Sequence, residues 1–196
     1  MTSLYLIRRT FLATSLLGGA AVAACTTTTP QEDTAQANRA KRAEIDAAVN
    51  EALARLYQQE PNSRQLVQQA KGVLVFPNVF KAGLVVGGEY GEGALRVGGN
   101  TADYYSAAAG SIGLQAGAQE KAIYILFMTD PALQQFRSSN GWQVGADASV
   151  AVVNVGASGS VTSETARQPV IGYVLTGGGL MVDASLSGTK ITKLSV

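Results

Sequence analysis

Few residues in this chain are of types that do chemistry, and their spacing narrows them further. There is no histidine and a single cysteine, Cys25. Without imidazole there is no Ser-His-Asp or Cys-His relay and no histidine metal ligand. One thiol makes neither an intrachain disulfide nor a thiolate zinc cluster. Two serine arrangements imitate nucleophile motifs. Ala109-Gly110-Ser111-Ile112-Gly113 has the outline of a nucleophile elbow but lacks its base, and Ser187-Gly188-Thr189-Lys190 is an S-x-x-K without companion S-D-N or K-T-G segments. Glu89 and Glu92 flank Gly91. They could sit together at a strand end for acid-base work, though a solvated hairpin is the simpler account. The glycine-rich stretch 83–99 holds neither a G-x-x-x-x-G-K-[ST] nor a G-x-G-x-x-G that opens a helix. No catalytic residue, metal ligand or cofactor is expected.

Cys25 carries a different chemistry, acylation. Arg8 and Arg9 open a basic start, and residues 10–24 follow without a charge. That run is too short for the ~20 residues of a spanning helix and reads as a secretory signal. Val22-Ala23-Ala24-Cys25 resembles a lipobox, which implies cleavage before Cys25, diacylglycerol on its sulfur and an acyl chain on its amine. An ordinary signal with an incidental cysteine is the alternative. Arg8, Arg9, Phe11 and Leu12 also resemble the R-R-x-F-L twin-arginine export motif. Ile7 and Ala13 depart from it, and general export stays open beside it. Losing Arg8 and Arg9 leaves 13 basic and 14 acidic side chains, a balance of −1. That excludes a strongly basic nucleic-acid binder. Multiple acyl chains hold a protein stably on a bilayer. Thr26 stands where an Asp would signal inner-membrane retention, which favours the outer membrane.

The elements follow from periodicity. Residues 26–38 are polar, hold Pro30 and show no apolar period, so they read as a flexible tether. In 39–59, Ile45, Val49, Ala52, Leu53 and Leu56 form one helical stripe, with Arg42, Asp46, Asn50 and Arg55 opposite. Pro61 and Asn62 end that helix, and Ser63 could cap a shorter one that stops before Gly72. Beyond Gly72 the period falls toward 2, and 20 of the 22 glycines lie between Gly72 and Gly188. Predicted strands are 72–76, 82–90, 93–98, 104–118, 121–128, 142–155, 159–162, 170–175, 180–186 and 189–194. Asp130-Pro131 opens a short helix with Asp130 as its cap. The fold class is α+β: a coiled, Gly-rich, mainly antiparallel sheet, barrel- or sandwich-like, covered by an N-terminal amphipathic helix and short helices.

Arg39, Lys41 and Arg42, with Lys71 and Lys81, are the pointed basic set. A helix with an apolar stripe and basic residues at its start could lie on an anionic surface. Equally, it could be a core helix with a solvated polar face, and Glu44, Asp46 and Glu51 dilute the positive side.

Six ordered motifs support a resemblance. They are Ala70-Lys71-Gly72-Val73-Leu74-Val75-Phe76-Pro77; Lys81-Ala82-Gly83 with Gly87-Gly88-Glu89-Tyr90-Gly91-Glu92-Gly93; Ser111-Ile112-Gly113-Leu114-Gln115-Ala116-Gly117; Phe127-Met128-Thr129-Asp130; the run Trp142 to Val150; and Val174-Leu175-Thr176-Gly177-Gly178-Gly179-Leu180. Together they resemble the SYLF domain over roughly residues 40–195. The resemblance implies a binding module without a catalytic residue. Eukaryotic members bind phosphoinositides and other anionic lipids, partly through an N-terminal amphipathic helix, and a yeast member binds actin. On this chain Lys41, Arg42, Lys71 and Lys81 occupy the helix and first-strand region and are the headgroup candidates.

The expectation is therefore three segments: a signal peptide over 1–24, lipidated Cys25 with a flexible tether over 25–38, and a SYLF-like domain over 39–196. The molecule would be an exported lipoprotein, on the outer membrane facing the periplasm. It would engage the membrane through Cys25 and anionic lipid through its domain. A structural lipoprotein that binds an envelope protein partner is the alternative.

Overall fold

The computed structural model describes residues 30–83, 86–112, 119–155, 165–176 and 186–196. Cys25, the lipobox residues Val22, Ala23 and Ala24, and the export motif lie outside the described residues. So do the strand expected at 159–162 and most of that at 180–186.

The chain opens with α1 (Pro30–Gln59) and α2 (Ser63–Gln69), followed by the strands β1 (Gly72–Gly83), β2 (Val86–Val97), β3 (Asn100–Ile112) and β4 (Gln119–Phe127). Helix α3 (Asp130–Ser138) precedes β5 (Trp142–Gln143), β6 (Ala151–Val155), β7 (Val170–Thr176) and β8 (Lys190–Lys193). One eight-stranded sheet results, in the order β5-β8-β3-β2-β1-β4-β7-β6. All pairs are antiparallel except β6 with β7. The α+β class with a mainly antiparallel coiled sheet is as expected.

The sheet buries both faces. Val73, Val75, Ala94, Tyr124, Leu126 and Tyr173 meet the α1 stripe of Ile45, Val49, Ala52 and Leu56. Leu74, Phe76, Leu95, Ile123, Ile125 and Phe127 face the other way, onto Leu133 and Phe136 of α3. Trp142 from the β5 edge reaches that inner face and meets Phe127 edge-on at 6.0 Å and Phe136 at 5.5 Å. A strand at one edge touching β4 means the sheet curls into a half-barrel, with α3 and Trp142 filling its inside and α1 lying on its outside.

Several boundaries differ from expectation for physical reasons. α1 begins at Pro30, so 30–38 is helical rather than a loose tether. Proline suits the first helical turn and Ala and Gln propagate it, while Thr34–Ala37 stay exposed, which is why no apolar period marked them. β1 runs through Pro77 because a bulge sits there: the register shifts between Val75 and Asn78 against β2 and between Phe76 and Val79 against β4. Bulges are where a strand tolerates proline. The break expected around Gly91 does not occur, and β2 turns into β3 at Gly98 and Gly99, both with positive φ (58° and 83°). The expected long strand 142–155 is two strands separated by turns around Gly145 (φ 88°). α3 is capped by Thr129, whose hydroxyl accepts from the Ala132 amide at 3.4 Å, rather than by Asp130. Ser63 is the first residue of α2 behind an Asn62 cap, not a cap itself.

Candidate ligand-binding face

α1 crosses the outer face on more than its apolar stripe. The Tyr124 hydroxyl donates to the Ala52 carbonyl at 2.8 Å. The flank expected to be solvated is instead a polar seam. The Asp46 carboxylate accepts from Thr101 (2.6 Å) and Tyr104 (2.9 Å) of β3 and pairs with Arg96 of β2 at 3.4 Å. Arg96 also donates to Asn50 Oδ1 at 3.0 Å. Burial, then the bond to Asp46, raises the Tyr104 hydroxyl above its ordinary pKa.

The four headgroup candidates are not gathered in one patch. Lys41 Nζ lies 2.6 Å from Glu92 Oε2, and Tyr90 donates to the other Glu92 oxygen at 3.0 Å. That bond to Glu92 raises the Lys41 pKa above its ordinary value. Arg42 Nε donates to the backbone oxygen of Val196 at 2.7 Å. Lys71 faces Asp130 across 3.9 Å. Lys81 makes no ion pair among the described residues. Lys71 and Lys81 stand ten residues apart along an extended segment, ~30 Å.

Strand parity sorts the far end of the sheet. Val79 faces inward, so Phe80 faces outward and Lys81 inward. On β4, Ile123 faces inward, which puts Lys121 inside and Glu120 outside. Glu89 and Glu92 therefore point to opposite faces and form no carboxylate pair. Each holds a lysine: Glu92 takes Lys41, and Glu89 takes Lys121 at 2.6 Å, with side chains only 13% and 11% exposed.

Outside, beyond α1, an uncovered row crosses five strands. Lys190 pairs with Ala108, Ala108 with Tyr90, Tyr90 with Phe80, and Phe80 with Glu120. Phe80 and Tyr90 are 56% and 51% exposed, the largest values for large hydrophobic side chains among the described residues. At the Glu120 end the row meets an open cleft of about 220 Å³. The β1 bulge (Pro77, Asn78) forms one wall, the end of α1 (Arg55, Gln59) another, and Glu120 and Ala122 of β4 a third. Arg55 Nη2 reaches the Pro77 carbonyl at 3.5 Å. Sequence reasoning missed this face. Gly83 pairs with Gly87, and the same register sets Phe80 opposite Tyr90, but 82–90 read as one strand.

The serine look-alikes are placed as follows. Ser111 lies within β3 opposite Gly87, not at a strand-to-helix turn. Ser187 is exposed beside Gly188, which has a φ of 82°. Among the described residues no cluster of three or more His, Cys, Asp or Glu is placed to hold a metal, and no helix is long and apolar enough to cross a membrane.

The family model described as Ysc84, Las17-binding protein actin regulator, matches residues 108–195, from the middle of β3 to just beyond β8. A search of curated proteins finds no match. The matched segment contains four of the six motifs read from the sequence; residues 113–117 and 177–180 of two of them lie outside the described residues. Over residues 108–195 the chain is similar to the Ysc84 (SYLF) family, the family that the six motifs resemble.

Proposed function

We propose that this SYLF-like domain is a non-catalytic binding module that engages lipid at the surface of a bacterial envelope membrane, where acylated Cys25 anchors it. The observation that carries the reading is the uncovered Phe80–Tyr90 pair. Two half-exposed rings, neighbours across β1 and β2, lie outside the cover of α1. Tyr90, with an apolar body and a polar tip, suits a membrane interface, and Phe80 adds apolar area beside it. The inner mouth adds a cation, since Lys81 is free of ion pairs among the described residues. The proteins for which the family model is named bind Las17 and regulate actin. An exported chain would meet neither, so lipid is the family role carried over. The anchor would be the outer membrane, with the domain in the periplasm, and export would use the twin-arginine or the general route. Lys41, Arg42 and Lys71 would add a long-range field, each charge being worth up to ~1 kcal/mol near an anionic surface. Their present partners reduce that share.

Co-sedimentation of residues 26–196 with neutral, anionic and phosphoinositide-containing vesicles, at low and high salt, tests this. Every described element lies within that fragment. Salt-sensitive binding to anionic vesicles, weakened by Lys81→Gln, assigns headgroup contacts. Salt-insensitive binding, lost on replacing Phe80 and Tyr90 by serine, assigns apolar contacts. No binding to any vesicle overturns the proposal and leaves an envelope protein partner. The β6 edge with its exposed Val152 is the place to look for one.

A further inference from the structure

We propose that the bulge cleft and the Phe80–Tyr90 pair form one site for a single amphiphile with a zwitterionic head: the head sits between Arg55 and Glu120 and the tail lies over the two rings. This rests on the lipid reading and gives it a stoichiometric site.

The cleft holds both signs of charge, unneutralised by each other. Arg55 and Glu120 line it together. Each is exposed, and neither makes an ion pair among the described residues. The Arg55 guanidinium, with five donors, makes one long bond to Pro77. With the Asn78 amide turned so that its nitrogen faces acceptors, it donates to Glu120 Oε1 at 2.9 Å and to the Pro77 carbonyl at 2.7 Å, leaving the other Glu120 oxygen open. Lys121, also at the wall, is already committed to Glu89. A ligand that fits this arrangement brings an anionic group to Arg55 and a cationic one to Glu120. A purely anionic head would meet the Glu120 carboxylate with nothing to offer it.

Size and direction agree with a head in the cleft and a tail outside it. About 220 Å³ equals roughly seven water-sized volumes of ~30 Å³. That is the scale of a phosphoethanolamine group and too small for a head together with two acyl chains. Glu120 is the direct cross-strand partner of Phe80, and Phe80 of Tyr90. With strands ~4.8 Å apart, a chain leaving the cleft past Glu120 meets both rings within ~10 Å. Ala108, next in the row, and Gly88 and Gly110 beside it are exposed and raise no obstacle.

The test is titration of the full chain with a short-chain phosphatidylethanolamine kept monomeric, read by calorimetry and native mass spectrometry. One lipid should bind per chain. Arg55→Gln, Glu120→Gln, and serine at both Phe80 and Tyr90 should each weaken binding about tenfold, the scale of one lost charged or apolar contact. All four side chains are exposed, so the fold should tolerate these changes. Phosphoethanolamine without acyl chains should bind far more weakly. A short-chain phosphatidylglycerol should bind more weakly than the ethanolamine lipid, and Glu120→Gln should narrow that gap. Affinity unmoved by Arg55→Gln and Glu120→Gln, or no monomeric lipid bound, overturns the site. Vesicle co-sedimentation separates this from the wider reading. Vesicle binding without a one-to-one complex sinks only the site. A one-to-one complex without vesicle binding supports the site and sinks the surface reading. Absence of both sinks both.

Discussion

Gly93 lies directly against the carbonyl oxygen of Val75: a Cβ on residue 93 would overlap that oxygen and stand 2.8 Å from the Phe76 ring. The contact lies at the bulge, where the β1–β2 register shifts just past Val75 and leaves Gly93 opposite the extra residues. Backbone cannot swing aside as a flexible side chain does. Gly93→Ala should therefore cost about 3 kcal/mol or more. Gly110→Ala, with nothing within 4 Å of its added carbon, should lie within ~0.5 kcal/mol of the parent or above it. Urea unfolding followed through Trp142, the sole tryptophan and 1% exposed, measures both. Equal costs would remove the bulge as the cause.

The Asp46 carboxylate joins α1 to β2 and β3 through Thr101, Tyr104 and Arg96. Asp46→Ala would leave three donors without that acceptor, with Arg96 only 16% exposed at its side chain. A cost of about 2–4 kcal/mol is expected. Asp46→Asn keeps an acceptor and should cost less. Hydrogen exchange locates the effect: α1 amides should exchange faster in Asp46→Ala while those of β4 keep their protection. Uniform loss across both would mean that the seam does not act locally on α1.

The parts of this arrangement legible in the sequence are those written in local periodicity. Ile45, Val49, Ala52 and Leu56 were one stripe and are one buried face. The alternation of Ile123 to Phe127 sorts onto two cores as read. What was not legible depends on events between distant segments. The Pro77–Asn78 bulge reverses the parity of β1, so that Val73 and Val75 face α1 whereas Val79 faces inward. No local pattern announces such a reversal. Asp46 looked solvated because its partners are 50 to 58 positions away. The cleft joins Arg55, Pro77 and Glu120 from three elements, none of which carries a motif. Acylation at Cys25 is the opposite case, a feature of sequence alone that lies outside the described residues.

Lys121 and Glu89 meet at 2.6 Å with almost nine-tenths of each side chain shielded. Removing one partner strands the other charge in a poorly solvated place. Lys121→Met or Glu89→Leu alone should each cost about 3 kcal/mol. The double variant should be less destabilised than the two single losses added together, because no unpaired charge remains. A double-mutant cycle on urea midpoints gives the coupling. Strict additivity would show that the pair contributes nothing as a pair.

Alkaline pH should unfold the domain through its tyrosines. Burial pushes Tyr105, Tyr124 and Tyr173 up to about 12 from an ordinary 10.0. A raised folded value means that the contribution is complete below pH 10 and is lost as pH rises from 10 through about 12. Lys41, raised from 10.5 chiefly by its bond to Glu92, acts in the same direction at slightly higher pH. At ~1.4 kcal/mol per pKa unit, each buried tyrosine accounts for up to about 2 kcal/mol by pH 12. Two variants separate burial from hydrogen bonding. Tyr124 donates to the Ala52 carbonyl, so Tyr124→Phe should cost about 1 kcal/mol at neutral pH. The Tyr173 hydroxyl is buried without a hydrogen-bond partner among the described residues, so Tyr173→Phe should be neutral or stabilising there. Both should flatten the alkaline fall measured by urea midpoint against pH. A fall as steep as the parent's in both variants would move the cause away from these two phenols.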